Sequence, residues 1–203
     1  MGRGRAASYD DQRELILDRA AAVFARGGYP GTSMNQVAEA CGLSKATLYH
    51  YYRDKYALLV SITDGHVSRL QAIVRGTLAA DSTPEAQMRA LIRRLVEEYA
   101  HAQNAHRVLT EDVKFLQPAD RQHILDKERE VVRGFAQVVA ALRPDLQDAA
   151  MSKPLTMLLF GMINWLFTWM KPDGRLDYDA MAPVVTDLFL GGIGAVQAVP
   201  QAT

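Results

Sequence analysis

The residues best suited to binding chemistry lie together between positions 44 and 55. The segment from Ser44 to Tyr51 carries a lysine, two hydroxyl groups, two phenols and an imidazole, and Lys55 follows four residues later. Lysine and hydroxyl groups contact phosphate oxygens, and lysine and small side chains can also reach the edges of bases in a groove. These residue types therefore predict a surface that holds a nucleic acid.

Two short helices would position this segment. Ser33 can cap the first helix, and Gln36 completes a capping box with it. Gly42 ends that helix, and Ser44 caps a second one that we predict over positions 45–52. The helix N-termini at Ser33 and Ser44 leave N–H groups that can hold phosphate oxygens. Two short helices joined by a glycine-containing turn are typical of a helix-turn-helix, whose second helix enters the major groove of DNA.

The spacing of side chains along the second short helix supports this interpretation. At about 100° per residue, Leu48 and Tyr52 fall on one side of the helix. Ala46 and His50 point the opposite way, so the outward side is small, polar or aromatic. The alternative is an ordinary helical hairpin whose aromatic residues belong to the core. Because four adjacent aromatic or histidine side chains at positions 49–52 cannot all face inward, the groove-reading interpretation is favoured.

Helical spacing recurs along the rest of the chain, and strand-like alternation is nearly absent. We therefore expect an all-α fold of about nine helices. Residues 1–60 would form a three-helix, helix-turn-helix DNA-binding domain, and residues 61–203 a larger helical domain for ligand binding and dimerisation. Residues 1–8 would be a flexible cationic arm, and Pro154 would kink or split the eighth helix. The helices are predicted near 11–26, 34–41, 45–52, 54–79, 84–102, 105–116, 119–142, 147–171 and 178–198, with a turn at 171–174 before the last.

The composition limits the class of protein. Lys and Arg together equal Asp and Glu at 23 each, so the chain as a whole does not attract nucleic acid. The first 60 residues carry eight basic and six acidic residues, a small local excess. Cys41 is the only cysteine, and no Cys/His cluster has zinc spacing, so we expect no disulfide, no structural metal and a reducing cytoplasm. The apolar stretch 155–170 is shorter than the roughly 20 residues that span a bilayer, and the first residues do not resemble a signal peptide, so we expect no membrane association.

Four blocks in the first 60 residues carry a family resemblance. They are Phe24-Ala-Arg-Gly-Gly-Tyr29, Thr32-Ser-Met-Asn-Gln-Val-Ala38, Gly42-Leu-Ser-Lys-Ala-Thr-Leu-Tyr49 and Tyr52-Arg-Asp-Lys55. Together they resemble the N-terminal domain of TetR-type repressors, and four linked blocks are far more specific than a single motif. The family often has Tyr-Tyr-His-Phe where this chain has Tyr49-His-Tyr-Tyr52, so the histidine and the second tyrosine exchange places.

The resemblance implies two kinds of DNA contact. Phosphate contacts set the position and the salt dependence of binding, whereas base contacts set its sequence preference. The resemblance implies that the partner is double-stranded, palindromic operator DNA. It implies base-edge contacts from Asn35, Lys45, Ala46 and Tyr49, and phosphate contacts from Ser33, Thr47, His50, Tyr51 and Lys55, in addition to the helix N-terminus at Ser44.

Two apolar helices near 147–171 and 178–198 are candidates for a dimer interface. A helix-turn-helix usually works as a dimer on half-sites roughly 34–36 Å apart, so a second domain must set that distance. Both helices are apolar nearly all round, as expected if one side faces the subunit and the other a partner. Gly161, Gly191, Gly192 and Gly194 would allow close approach. Burial of both helices within one large monomeric core is nearly as good an explanation of the pattern, but the resemblance favours a homodimer.

The larger domain also has the residues for an apolar ligand cavity. Apolar cavities with few polar groups are typical of small-molecule sites, although each residue taken singly is as well explained by plain core packing. The candidates are Met88, Leu91, Leu95, Tyr99, Phe115, Phe135, Met157, Phe160, Asn164, Trp165 and Trp169.

A second resemblance narrows the ligand. Glu111-Asp-Val-Lys-Phe-Leu116, Arg121, Glu128-Arg129, Gly161-Met-Ile-Asn-Trp165, Trp169 and Pro172-Asp-Gly174 resemble TetR-type regulators that sense acyl-CoA thioesters. Among these, the chain is most similar to repressors of phenylacetate catabolism, which implies phenylacetyl-CoA as inducer and no cofactor. A different apolar or aromatic ligand, from efflux or lipid metabolism, is the alternative. Basic groups available for the CoA phosphates are Arg93, Arg94, Arg107, Lys114, Arg121 and Arg129, most of which are also explained as solvated helix faces.

Two other classes of protein are less well supported. An enzyme could use Glu97, His101, His106 and Glu111 as metal ligands or as acid and base, but the chain has no accompanying nucleophile, phosphate loop or recognised ligand spacing. A helical adaptor that binds only protein would leave the outward side chains at 49–51 without a purpose. We therefore expect a DNA-binding regulator rather than an enzyme.

Overall fold

The computed structural model describes residues 3–146, 151–170 and 176–198. Within these ranges all regular structure is helical, which confirms the predicted all-α class and the nine helices. The helices are α1 (Arg3–Gly27), α2 (Met34–Ala40), α3 (Lys45–Tyr51), α4 (Lys55–Leu78), α5 (Pro84–His101), α6 (Gln103–Asp112), α7 (Pro118–Leu142), α8 (Ser152–Trp169) and α9 (Tyr178–Ile193), with 3₁₀ turns at Val113–Phe115 and Pro144–Leu146.

Three predicted features of the helices were wrong. The first helix begins at Arg3, so the segment predicted as a flexible arm is helical from there, in keeping with the helix-favouring Arg and Ala residues at 5–7. Pro154 lies in the first turn of α8, where its missing N–H has no helical partner to lose, so it neither kinks nor splits the helix. The last helix ends at Ile193 rather than near 198, amid three glycines. The predicted start of α8 at 147 and the turn at 171–174 lie outside the described residues.

The chain forms two compact units, and each is assembled from two separate stretches of the sequence. The first unit contains residues 1–68 and 102–125, and the second contains 69–101 and 126–203. Residues 102–125 join the first unit because α6 packs along α1. Tyr56 of α4 ties the start of α7 to the same unit, since its hydroxyl donates to Asp120 (2.5 Å) and accepts from the Gln117 N–H (2.9 Å).

The first unit has its own apolar core. On α1, Ile16, Ala20 and Phe24 follow one another at four-residue intervals, so they lie on one face and are fully or almost fully buried. Leu48 of α3 and Leu58 of α4 are completely buried in the same cluster. This core fixes the two short helices against the longer ones.

The second unit has a larger core, formed chiefly where α5 packs on α9, with α7 and α8 contributing. Within this unit the C-terminal part of α4 lies close to α7. A Cβ atom added at Gly134 would overlap Val74 and touch Leu78, so the absence of a side chain at Gly134 permits this close packing. No helix in the described ranges combines the length and apolar character needed to cross a bilayer.

A pair of histidines is buried in the first unit. His66 Nε2 and His106 Nδ1 are 3.2 Å apart, and the two side chains are 0% and 3% exposed. Burial, and secondarily the nearby His66, lower the pKa of His106 well below its ordinary value of 6.5. His106 is therefore neutral in the folded protein at neutral pH.

We predict that the protein loses stability as the pH falls below about 6.5, because the unfolded chain then binds a proton that folded His106 rejects. The contribution of one such group to the free energy of unfolding falls by at most about 1.4 kcal/mol per pH unit. Thermal unfolding of the wild type and His106→Gln between about pH 7.5 and 5 measures it. The variant is expected to be less stable at pH 7.5 but to lose stability less steeply; parallel curves for the two proteins would contradict the prediction.

Candidate nucleic-acid interface and ligand region

The turn between α2 and α3 is fixed by its own backbone hydrogen bonds. The Leu43 N–H donates to the Ala38 carbonyl (2.9 Å), and the Gly42 N–H donates to the Glu39 carbonyl (3.0 Å). This is the Schellman pattern, and Gly42 supplies the left-handed residue that it needs, with φ of +65°. The turn therefore sets where α3 starts relative to α2.

Both predicted helix caps are confirmed. The Ser33 N–H donates to Gln36 Oε1 (2.8 Å) and the Gln36 N–H donates to Ser33 Oγ (3.3 Å), which is the reciprocal capping box. Ser44 Oγ accepts from the Thr47 N–H (3.1 Å) and lies 2.8 Å from Thr47 Oγ1. These bonds hold the first turns of α2 and α3 in place.

The two faces of α3 are as the spacing predicted. Leu48 and Tyr52 are buried, and the opposite side is open to solvent. Lys45 and Tyr49 lie one turn apart on that side, with Lys45 Nζ 6.0 Å from the centre of the Tyr49 ring. The predicted DNA-contacting residues that are exposed on the first unit are Ser33, Asn35, Ser44, Lys45, Ala46, Thr47, Tyr49 and His50, and Tyr51 is half-buried.

Lys55 has a different environment from the other predicted contacts. Its Nζ donates to the carbonyls of Tyr29 (2.7 Å) and Thr32 (2.8 Å) and lies 4.4 Å from the centre of the Tyr29 ring. The ammonium group is thereby held by the loop between α1 and α2. Its geometry indicates that Lys55 closes this loop, a role that the sequence blocks did not reveal.

Two residues in the N-terminal part of α1, Tyr9 and Arg13, contact the end of α3, and the sequence did not predict these contacts. The ring of Tyr9 is stacked on Tyr51, and the guanidinium carbon of Arg13 lies 5.3 Å from the centre of the Tyr52 ring. A start of α1 at residue 11 left Tyr9 outside the predicted helix. The signal that could have found it is the four-residue spacing of Tyr9 and Arg13 on a longer helix.

The predicted ligand-lining residues do not form one group, and all but Phe115 lie in the second unit. Six are buried in its core: Met88, Leu91, Leu95, Tyr99, Phe135 and Phe160. Among them the Tyr99 hydroxyl donates to Asn164 Oδ1 (3.0 Å), and burial raises the pKa of Tyr99. Glu128 acts on Tyr99 electrostatically, and its own pKa is raised by burial. Tyr99 is buried in the core, whereas Asn164 and Glu128 are half-buried; we refer to these three residues as the polar cluster.

The remaining predicted lining residues are not brought to this cluster. Met157, Trp165 and Trp169 are exposed on α8, at 50%, 67% and 50%. Phe115 belongs to the first unit, where its ring lies 5.7 Å from that of Tyr29. The sequence shows that these residues are largely apolar, but it does not show whether each one faces the core or the solvent.

A surface cleft of about 410 Å³ lies between α5 and α9 and was not predicted. Arg89 and Arg93 line it, together with Glu97, Asp179 and Thr186. The basic groups are already paired, since Arg93 binds Glu97 (2.8 Å) and Arg89 binds Glu85 and Asp187 (3.1 Å each). Of these two arginines only Arg93 was predicted to bind CoA phosphates. Two others in that predicted set also form ion pairs, Arg107 with Glu111 and Arg129 with Asp126.

The residues considered for an enzyme do not assemble a metal site in the described part of the chain, where no group of three or more His, Cys, Asp or Glu side chains could hold an ion. His101 Nδ1 contacts the Glu97 carbonyl (2.7 Å), and His106 pairs with His66.

Comparison with known proteins agrees with these features. A family model described as "Bacterial regulatory proteins, tetR family" matches residues 16–62, and one described as "Tetracyclin repressor-like, C-terminal domain" matches residues 81–193. A solved TetR-family transcriptional regulator from Bordetella parapertussis 12822 is 35% identical, with 92% of this chain and 98% of that chain covered and a TM-score of 0.83.

The chain is also similar to a transcriptional repressor and to a regulator that was solved with a ligand and operator DNA. The HTH-type transcriptional repressor KstR2 of Rhodococcus jostii (strain RHA1) is 24% identical over 189 residues, which cover 91% of this chain and 92% of KstR2. AibR, solved in complex with isovaleryl coenzyme A and operator DNA, is 23% identical, with 87% of this chain and 97% of AibR covered and a TM-score of 0.73; at that identity the likeness shows a shared fold. Because the C-terminal family model alone matches more than half of the chain, the chain belongs to the TetR family of bacterial transcriptional regulators.

Proposed function

We propose that this regulator acts in the cytoplasm as a homodimeric repressor, which binds palindromic operator DNA and is released by an acyl-CoA thioester such as phenylacetyl-CoA. The observation that carries the DNA-binding part is the exposed side of α3, where Lys45, Tyr49 and His50 face solvent while Leu48 anchors the helix. This is a binding function without catalysis. The repressor name of KstR2 supports the direction of regulation.

The exposed side of α3 has the dimensions and chemistry of a groove-reading surface. The helix is only seven residues long, about 10 Å, which fits within the width of a major groove. Lys45 can reach a guanine edge, and the methyl of Ala46 can contact thymine. Thr47 and His50 can contact phosphates on either side. We therefore propose these residues, with Ser33, Asn35, Ser44, Tyr49 and Tyr51, as the DNA contacts.

Exposed apolar side chains on α8 and α9 support the dimer. Trp165 is 67% exposed and Leu188 64% exposed, in helices that adjoin each other within the second unit. Val184 and Leu188 lie one turn apart and Gly191 follows on the same stripe, where an added Cβ would meet open space. Large apolar side chains gathered on one surface are costly in water and mark an interface. A second copy of this face would cover them.

The polar cluster of the second unit supports a small-molecule ligand. Tyr99 and Asn164 place a hydrogen-bonded hydroxyl and amide beside an otherwise apolar core, and the half-buried Glu128 acts electrostatically on Tyr99. A few polar groups beside apolar side chains are typical of ligand sites. The similarity to AibR, which was solved with isovaleryl coenzyme A, supports an acyl-CoA as the ligand class. An apolar or aromatic ligand without CoA is the alternative.

We predict that Lys45→Met weakens binding about 5- to 150-fold for each half-site, the cost of one base-edge contact per subunit, and relaxes sequence preference at one position of each half-site. The duplex is obtained by selecting bound sequences from a random DNA library, and an inverted repeat is expected. Lys114→Met is the matched control, since Lys114 is an exposed lysine of the same unit outside α3. Failure to enrich an inverted repeat, or equal losses in the two variants, would contradict the proposal.

We predict that Leu188→Glu converts the dimer to monomers, because it buries an unpaired carboxylate in the proposed interface. Sedimentation velocity at micromolar concentration measures the change. Leu15→Glu is the control, because Leu15 is an exposed apolar residue of α1. The proposed interface is wrong if the wild type sediments as a monomer or if the Leu188→Glu variant remains a dimer.

We predict that saturating phenylacetyl-CoA weakens binding of the selected duplex about 10- to 100-fold, the usual size of an allosteric coupling. Phenylacetate and free CoA are the controls, and fluorescence anisotropy of the labelled duplex is the measurement. Unchanged affinity would reject phenylacetyl-CoA as inducer and favour the alternative ligands. Tighter binding would reject release as the direction of the response.

A further inference from the structure

A cluster of three rings joins α1 to the C-terminal end of α3. The centre of the Tyr9 ring lies 4.9 Å from that of Tyr51, with an angle of 26° between the planes, so the two rings are stacked. Tyr9 also meets His50 edge-on at 6.4 Å, and His50 meets Tyr51 edge-on at 5.6 Å. Stacked and edge-to-face arrangements at these distances are the favourable ones for aromatic pairs.

A second contact from the same face of α1 holds the next residue. Arg13 lies one helical turn after Tyr9, and its guanidinium carbon is 5.3 Å from the centre of the Tyr52 ring. Tyr52 is the C-cap of α3 and is 3% exposed. Tyr9 and Arg13, which are four residues apart on α1, thus contact the successive residues Tyr51 and Tyr52 at the end of α3.

The geometry points to Tyr9 as a positioning residue for DNA recognition, which fixes the rings of Tyr51 and His50 in the orientation that the duplex meets. This inference rests on the proposed function. A helix of seven residues has little stability of its own, and its last turn frays unless neighbouring elements hold it. His50 is exposed and Tyr51 half-buried, so the core alone does not set their rotamers.

The stacking also restricts motion before DNA arrives. A side chain that must be ordered on binding loses conformational entropy at that step, and a ring already ordered in the free protein avoids part of that cost. Tyr9 itself is 38% exposed and carries no net charge, so its contribution to affinity comes from ordering its neighbours and not from charge. Removing its ring should therefore weaken binding without removing a positive group.

The test compares three α1 variants on the duplex selected from the random library. Tyr9→Ala removes the ring, Tyr9→Phe keeps it, and Leu15→Ala removes an exposed apolar side chain elsewhere on α1. We expect Tyr9→Ala to lose about 3- to 10-fold in affinity for each half-site, the value of one aromatic pair per subunit, with Tyr9→Phe and Leu15→Ala within twofold of the wild type. Equal affinity of Tyr9→Ala and the wild type would overturn the inference, as would equal losses in the Ala and Phe variants or in Tyr9→Ala and Leu15→Ala.

A double-mutant cycle separates positioning from general stability. The affinity lost through Tyr9→Ala is expected to shrink clearly in a Tyr51→Ala background, because the ring on which Tyr9 stacks is then absent and only the edge-on contact with His50 remains. The same loss in both backgrounds would overturn the inference. Proton NMR of the DNA-free protein tests the stack itself, since the Tyr51 ring signals should shift in Tyr9→Ala and not in Leu15→Ala. A wild type that selects no duplex overturns the proposed function as well, whereas binding that Tyr9→Ala leaves unchanged overturns only this inference.

Discussion

Leu48 has no exposed surface, and its burial is the constraint on which the proposed recognition surface depends. The helix around it is too short to be stable alone, so it exists only because this side chain and Tyr52 are anchored in the core of the first unit. Once one face is fixed inward, helical geometry turns Lys45, Ala46, Tyr49 and His50 outward together. The Schellman turn at Gly42 and the Ser44 cap then fix where the helix begins. The burial of Leu48 and Tyr52 therefore determines which side chains of α3 are exposed.

The second unit buries only part of its apolar surface. Apolar side chains of α5 and α7 are buried in its core, whereas tryptophan and leucine side chains of α8 and α9 are exposed to solvent. The helix surface that a single chain leaves uncovered is the one that a second copy can bury. The polar cluster at Tyr99 lies within the same unit, so a ligand there could alter the packing of the helices that we propose to form the dimer. Such a coupling would act through the separation of the two copies of α3.

What could be predicted from the sequence was decided by short-range chemistry. The capping box at Ser33, the cap at Ser44, the glycine turn and the two faces of α3 depend on residues within a few positions of one another, and the structure confirms all of them. The role of Lys55 could not be predicted, because the carbonyl groups of Tyr29 and Thr32 that it binds lie more than 20 residues away in the sequence. The stacking of Tyr9 on Tyr51 and the packing of α6 on α1 are long-range for the same reason. The ligand region was the least predictable, since hydrophobic composition does not distinguish the buried Phe135 from the exposed Trp165.

Hydroxyl-radical footprinting of the protein, with and without its selected duplex, tests most directly whether α3 lies in a groove. Oxidation of Tyr49 and His50, followed by mass spectrometry, should slow strongly in the complex, while the exposed Phe115 of the same unit should react at an unchanged rate. Equal oxidation of Tyr49 and His50 in the free and bound protein, with protection elsewhere, would show that another surface holds the DNA.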